Sequence, residues 1–299
     1  MKHLRCRVVL PLTSALVLVL WRWPRLAGWV WNRISVPAMG WLHQVTAGVG
    51  FPVVEPVAAV FLAALGAALI RWVAGGGVRA LKRWGLSTLA IVAALALLWG
   101  PGWASPVRAS ARAEADSLAE LCGVLIDRLN GDFGPFPETG EALACAPVVA
   151  GLPGRVVKAA RAPGWMALAG AWGMFVPLTG EALVDPGMPA PLLPFTAVHE
   201  LMHLSGIADE GAANLAAWER CLKAGGPFAD SARLWALRYA MGQLCQQDEG
   251  AWLAARRRMG DGLLETFIQC GGEAEAAAPR FSLATGDYGA LAWTLAGQL

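Results

Sequence analysis

The pentapeptide His199-Glu200-Leu201-Met202-His203 is the stretch that decides most about this chain. Within a helix, residues four positions apart lie on one face, so both imidazoles can reach a single metal ion. Glu200 directly follows His199, and from there its carboxylate can take a proton from a metal-bound water. The spacing therefore predicts a zinc-binding helix with two histidine ligands and Glu200 as a general base. The alternative is a buried helix that carries two histidines for packing alone.

A catalytic zinc ion usually has three protein ligands and one open position. The other histidines, His3 and His43, lie in the N-terminal part of the chain, so we expect a carboxylate as the third ligand. Glu210 and Asp209 both follow the motif closely, and Glu210 is the preferred candidate. Asn214 shares a helical face with Glu210 and could orient its carboxylate by a hydrogen bond. Alternatively, either acid simply stands at the start of a helix, where the helix dipole favours negative charge.

The composition is unusual for a soluble protein. Of the 299 residues, 56% are hydrophobic and 15% are charged, whereas soluble chains have about 45–50% and about 25%. The excess of apolar residues is concentrated before residue 107, which indicates a membrane part. The net charge of +2 gives no basic surplus. We therefore expect a lipid bilayer, and no nucleic acid, among the partners.

Three apolar segments, at about 8–22, 55–71 and 85–104, predict three transmembrane helices within a membrane domain of residues 1–107. The basic residues before the first segment, and those between the second and the third, favour a cytoplasmic N-terminus. Residues 108–299 are then expected to form an extracytoplasmic domain. An amphipathic stretch over residues 29–45 indicates either a helix on the membrane surface or a plain loop.

The second domain is predicted to be mainly α-helical. Apolar residues recur at helical spacing over residues 109–129, 210–222, 229–245 and 249–270, and a final helix is expected over residues 288–299. Residues 174–184 form the best candidate strand, in which Pro177 and Gly180 indicate an edge or a bulge. The fold class is therefore mainly α with a small edge strand or sheet. This order is compatible with the zincin layout, in which a strand runs along the active-site helix.

Several segments occur in an order that resembles a known family. The most specific run leads from Pro194-Phe195-Thr196 into the H-E-x-x-H motif, then through Gly206 to Glu210-x-x-Ala213-Asn214. Further segments in common lie at residues 34–37, 50–52, 179–182, 237–240 and 288–289. The chain resembles uncharacterised bacterial membrane proteins that join N-terminal transmembrane helices to a zincin-like domain of unknown function. It departs from them at Leu204, where Gln is common, and at Ala212, where a second Glu is common.

The resemblance implies metallopeptidase-like chemistry in the bacterial inner (cytoplasmic) membrane, and it leaves Glu210 in the matching ligand position. It gives no substrate. Such chemistry needs a group that stabilises the oxyanion of the tetrahedral intermediate. Tyr239 and Tyr288, the two tyrosines of the chain, are the candidates for this role. For each, the alternative is an interior tyrosine whose hydroxyl is satisfied by the fold.

Five of the six cysteines follow residue 108, and none forms a C-x-x-C pair. In an oxidising compartment, some of these five are expected to form disulfides.

Taken together, these patterns predict a multi-pass, membrane-anchored zinc metallopeptidase that hydrolyses a peptide or protein substrate near the membrane. The alternative is a non-catalytic membrane scaffold or sensor that retains the fold. An intramembrane protease is disfavoured, because Asp185 and the prolines that follow it interrupt any span before the motif.

Overall fold

The structure, a computed structural model, describes residues 22–75, 78–103, 114–131, 134–161, 164, 166, 171–271 and 289–298. The chain divides into two compact units. The first unit comprises Met1–Pro106 together with Phe175–Glu181, and the second comprises Val107–Met174 together with Ala182–Leu299.

The described part of the first unit is built mainly from helices. These are α1 (Pro24–Val30), α2 (Val36–Ala47), α3 (Val54–Val73), α4 (Arg79–Leu98) and the short α5 (Gly100–Trp103). A π-helical turn, Trp31–Ser35, joins α1 to α2 without a break in the helix.

Two stretches of the first unit are long and apolar enough to cross a membrane. They are Val54–Val73, which is α3, and Arg79–Gly102, which contains α4. Only 6% and 17% of their apolar windows are buried inside the protein. A core helix of a soluble protein would be covered on most sides, whereas these helices leave large apolar surfaces exposed. The spans predicted at residues 55–71 and 85–104 fall on these stretches, and the span predicted at 8–22 lies, up to residue 21, outside the described residues.

A carboxylate from a distant part of the sequence caps the N-terminus of α3. Glu181 is 1% exposed, and its two carboxylate oxygens accept hydrogen bonds from the backbone N–H groups of Val53 (2.7 Å) and Val54 (3.0 Å). The first N–H groups of a helix have no partner within the helix, and the dipole favours negative charge there. Next to Glu181, the carbonyl of Gly180 accepts a hydrogen bond from His43 Nδ1 at 2.8 Å.

The second unit is built around a long central helix. The helices of its described part are α6 (Ala115–Gly131), α7 (Thr139–Val149), α8 (Leu193–Leu204), α9 (Glu210–Ala224), α10 (Gly226–Gln247), α11 (Glu249–Arg257), α12 (Asp261–Gln269) and α13 (Gly289–Ala296). The central helix α10 packs against α6, α8, α9, α11 and α13. The core between these helices includes Leu118, Ile126, Leu129, Leu201, Leu234 and Leu237, which are all fully buried.

A three-stranded sheet accompanies these helices. The strands β1 (Val157–Ala159), β2 (Gly173–Val176) and β3 (Glu181–Val184) lie in the order β1-β3-β2. β1 and β3 are parallel, with Val157 opposite Ala182. The link between β2 and β3 has only four residues, which is too short for a parallel crossover, so these two strands form an antiparallel hairpin. β2 is therefore an edge strand.

The predicted fold class, mainly α with a small sheet, is confirmed. Two local predictions are wrong. The single strand predicted over residues 174–184 is two strands, because Gly180 takes a positive φ of 67° and closes a turn with Pro177. The single helix predicted over residues 249–270 is two helices, because the backbone at Gly260 is extended. Neither α7 nor β1 was predicted.

Among the described residues, none of the expected disulfides is formed. Cys122, Cys145, Cys221, Cys245 and Cys270 are all free thiols in the described part of the chain. Burial raises the pKa of the Cys122 thiol to about 12 and also raises the pKa of Cys221. These protonated thiols pack within the helical core as small apolar side chains.

We expect Glu181→Ala to destabilise the first unit by about 1–3 kcal/mol, because two N–H groups at the start of α3 lose their acceptor. Thermal unfolding of the full chain in detergent, followed by circular dichroism, measures this effect. Glu120→Ala, which removes an exposed carboxylate from α6, is the control and should melt like the wild type. Equal melting temperatures for Glu181→Ala and the control would contradict the capping role.

Candidate metal centre

Helix α8 carries the H-E-x-x-H motif and is buried along its whole length. Two contacts with α10 fix its start: Phe195 N–H donates to Ser231 Oγ at 3.0 Å, and Trp235 Nε1–H donates to the carbonyl of Leu192 at 3.1 Å. The helix ends where Gly206 takes a φ of 103°, which favours glycine. Since both ends are fixed, the inward-facing side chains of α8 are held in defined positions.

Three potential ligand atoms converge beside α8. The Nε2 atoms of His199 and His203 lie 3.1 Å apart. Glu210, the first residue of α9, places Oε2 at 3.2 Å from His199 Nε2 and 3.4 Å from His203 Nε2. In a tetrahedral zinc site with bonds of about 2.0–2.1 Å, two ligand atoms are about 3.3 Å apart. The three atoms therefore fit a zinc-sized ion, and two nitrogens with one carboxylate oxygen form a suitable donor set.

Hydrogen bonds orient the second histidine. His203 Nδ1 lies 2.6 Å from the carbonyl oxygen of Ile207, to which it donates its proton. When His203 is neutral, Nε2 is then the nitrogen that carries the lone pair, which is the tautomer that can bind a metal ion through this atom. Burial lowers the pKa of His199, and Asn214, which is buried on α9, opposes part of this effect. The orienting contact of Asn214 with Glu210 stays a prediction.

The two acidic candidates occupy different positions. Asp209 is the N-cap of α9, and its side chain accepts a hydrogen bond from Ala212 N–H at 2.8 Å. This interaction satisfies the first turn of the helix. The adjacent Glu210 directs its carboxylate to the two imidazoles instead. The geometry therefore favours Glu210 over Asp209 as the third ligand.

Glu200 is buried beside the two histidines. Among the described residues, Glu200 Oε2 has no hydrogen-bond partner. Gly173 of the edge strand β2 lies directly opposite: a Cβ at this position would collide with Glu200 Oε1 and come within 2.8 Å of Thr196 Cγ2. Gly173 has no positive φ, so the close approach alone requires a glycine here. No sequence pattern indicated Gly173, because the contact exists only in the folded chain.

Burial and mutual charge determine protonation in this cluster. Burial lowers the pKa of His199, and it raises the pKa of Glu200 to about 8. For His203, burial favours the neutral form, but the hydrogen bond and the charge of Glu210 outweigh it and raise the pKa to about 9. Burial likewise opposes the charge of Glu210, yet the two histidines hold its pKa well below the usual range. Binding of a metal ion at these atoms must displace the proton from His203.

Of the two candidate tyrosines, Tyr239 lies within the described residues. Tyr239 packs on Trp235, one turn earlier on α10, with ring centroids 5.3 Å apart. Trp235 in turn packs on Phe195, which neighbours His199. Tyr288 lies outside the described residues. The oxyanion-stabilising role of either tyrosine stays a prediction.

One comparison with known proteins gives a match. Residues 145–270 match the model of a family described as "Protein of unknown function (DUF3810)". This segment contains α8, the start of α9 and Gly173, and so includes every residue of the cluster described above. No curated protein and no solved structure matches the chain.

We expect the detergent-solubilised full chain to bind one zinc ion through the three converging atoms. Loss of a residue that merely orients a ligand weakens metal binding by about 10–100-fold, so His203→Ala and Glu210→Ala should weaken zinc binding by at least about 100-fold. Asp209→Ala should keep the zinc and lose about 1 kcal/mol of helix stability. Elemental analysis and titration against a chromophoric chelator measure these effects. Zinc lost in Asp209→Ala but kept in Glu210→Ala would exclude our assignment.

Proposed function

We propose that this chain is a membrane-anchored zinc metallopeptidase. The observation that carries the proposal is the convergence of His199, His203 and Glu210 next to a buried glutamate, one oxygen of which has no partner among the described residues. A purely structural zinc site is usually closed by four protein ligands and has no need of a base. Here three candidate ligands leave one position for water, and Glu200 lies one residue from a ligand.

Each residue then has a defined task. His199, His203 and Glu210 would hold Zn²⁺, which when bound polarises the substrate carbonyl and acidifies water. Glu200 takes a proton from the attacking water and passes it to the nitrogen of the leaving amine. Its burial keeps bulk water away from this carboxylate and brings its pKa close to neutral pH, which suits a group that must both accept and release a proton. Because Gly173 has no side chain, it leaves room for the Glu200 carboxylate.

The membrane part of the proposal rests on the two apolar stretches. We place the chain in the bacterial inner membrane, with α3 and α4 as two of its spans. The link between them is flanked by Arg71, Arg79, Lys82 and Arg83, which favours a cytoplasmic position for this link. The chain after α4 then leaves the membrane on the opposite side, so that residues 108–299 are extracytoplasmic. A zincin-like active site there would act on a peptide or protein close to the bilayer.

We expect Glu200→Gln to lose turnover by about 10²–10⁴-fold, because the general base is removed, while the zinc content stays unchanged. The assay uses the full chain in lipid nanodiscs with a library of internally quenched fluorescent peptides. Glu219→Gln, which changes an exposed acid on α9, is the control and should retain full turnover. A wild-type protein that binds zinc but cleaves nothing, or that cleaves as fast as Glu200→Gln, would favour the non-catalytic scaffold.

We expect Gly173→Ala to lower turnover by about 100-fold with zinc retained, because a misplacement of about 1 Å of a reacting group costs about that much. The added methyl would push the Glu200 carboxylate from its position. Gly242→Ala is the matched control, since a Cβ there meets no atom within 4 Å. The comparison measures kcat and bound zinc in parallel. Unchanged kcat in Gly173→Ala would show that this glycine does not position Glu200.

A further inference from the structure

The continuous helix from Pro24 to Ala47, which consists of α1, the π-helical turn and α2, has a buried side and an exposed apolar side. We propose that this "surface helix" lies along the membrane plane and binds the headgroup region of an anionic lipid bilayer. The proposal rests on the membrane insertion of α3 and is independent of any peptidase activity.

The buried side shows that the helix is fixed in one orientation. Five of its six buried residues recur every four positions: Ala27, Trp31, Ser35, Met39 and His43, with Thr46 as the sixth. In a regular α-helix, four residues advance by about 400°, so such a stripe would drift by about 40° at each step. The wider π-helical turn in the middle of the stripe reverses part of this drift. One face of the helix therefore stays packed over its whole length.

The opposite side exposes large apolar side chains. Trp29, Trp41 and Val45 each follow a buried residue by two positions, which is about 200° around a helix, and are 57%, 62% and 58% exposed. Leu26 and Ile34 lie on the flanks of this side and are also exposed. Single exposed apolar residues are ordinary, but a row of them along one helix, including two tryptophans, marks an interaction surface. Tryptophan prefers the membrane–water interface, because its ring is apolar and its N–H can reach water or headgroups.

Contacts within the first unit place the surface helix at the level of the membrane surface. Trp31 packs edge-on against Trp99, with ring centroids 5.3 Å apart, and Ser35 Oγ lies 3.4 Å from the carbonyl of Leu97. Both partners lie near the C-terminal end of the stretch Arg79–Gly102. Only the short segment 48–53 separates Ala47 from the start of α3. The helix thus lies where both apolar stretches have one of their ends, which is where a bilayer would meet water.

The charges of the surface helix determine the kind of lipid. Arg25 and Arg33 of the helix are exposed, as is Arg22 just before it, and the sequence contains no Asp or Glu before Glu55. Arginine side chains beside interfacial tryptophans can pair with lipid phosphates while their stems cover apolar surface. A basic helix without acidic residues favours anionic headgroups.

Photo-crosslinking of the full chain in vesicles tests the proposal. The photoreactive amino acid p-benzoylphenylalanine replaces Trp41, Ile34, Val60 or Glu219 in separate variants, reconstituted in equimolar phosphatidylcholine and phosphatidylglycerol. Val60, 71% exposed on α3, is the positive control for membrane insertion, and Glu219 of the second unit is the negative control. We expect lipid adducts at positions 34, 41 and 60, identified by mass spectrometry, and none at position 219.

The outcomes separate the alternatives. Lipid adducts at position 60 without adducts at 34 and 41 would overturn the surface helix and leave the membrane insertion of α3 standing. Crosslinked dimers from position 41 would show that a second copy of the chain covers this face instead. If no position labels lipid, both the membrane insertion and the surface helix are wrong, whereas the zinc and peptidase measurements are unaffected.

A double arginine variant tests the preference for anionic lipid. In the Trp41-substituted chain, we expect phosphatidylglycerol adducts to exceed phosphatidylcholine adducts by at least about twofold. Arg25→Gln combined with Arg33→Gln should bring this ratio close to one while the total adduct yield persists. An unchanged ratio in the double variant would overturn the role of the arginines.

Discussion

The convergence of two imidazoles and one carboxylate on a single point is the interaction on which the rest of the site depends. The Nε2 atoms of His199 and His203 and the Oε2 atom of Glu210 lie within 3.4 Å of one another, in a largely buried place. Buried polar groups at such distances need a shared proton or a metal ion. Neighbouring residues hold these three side chains in place. Contacts with α10 fix the start of α8, and the carbonyl of Ile207 orients the His203 ring. Asp209 caps the helix whose first residue is Glu210.

One hairpin supplies residues with two separate structural roles. Gly173, at the start of β2, leaves room for the Glu200 carboxylate in the second unit. Glu181, at the start of β3, caps α3 in the first unit. Both roles depend on close contacts. Gly173 can approach the Glu200 carboxylate because it has no side chain, and Glu181 brings a negative charge to a helix N-terminus. The turn between the strands contributes Gly180, whose carbonyl binds His43.

Much of the fold could be predicted from local patterns. Helical periodicity located α6, α9 and α10 within a few residues, and apolar runs located α3 and α4, because these signals depend only on neighbours in the sequence. The hairpin and the break at Gly260 were missed, because a short apolar run with proline and glycine fits one bulged strand as well as two. β1 has only three residues and is stabilised by pairing with β3, so it leaves little local signal. The number of cysteines predicts disulfides, whereas the five thiols of the described residues are free and three of them are buried.

Helical spacing predicts that His199 and His203 can share one metal ion, because it fixes which side chains lie on one face. The lack of a further histidine in this part of the sequence predicts a carboxylate beside them. The packing of α9 against α8 brings the carboxylate of Glu210, and not that of its neighbour Asp209, to the two imidazoles. Gly173, Glu181 and the packed side of the surface helix likewise depend on contacts between residues far apart in the chain. Such contacts form only when the helices and strands pack, and no local pattern encodes them.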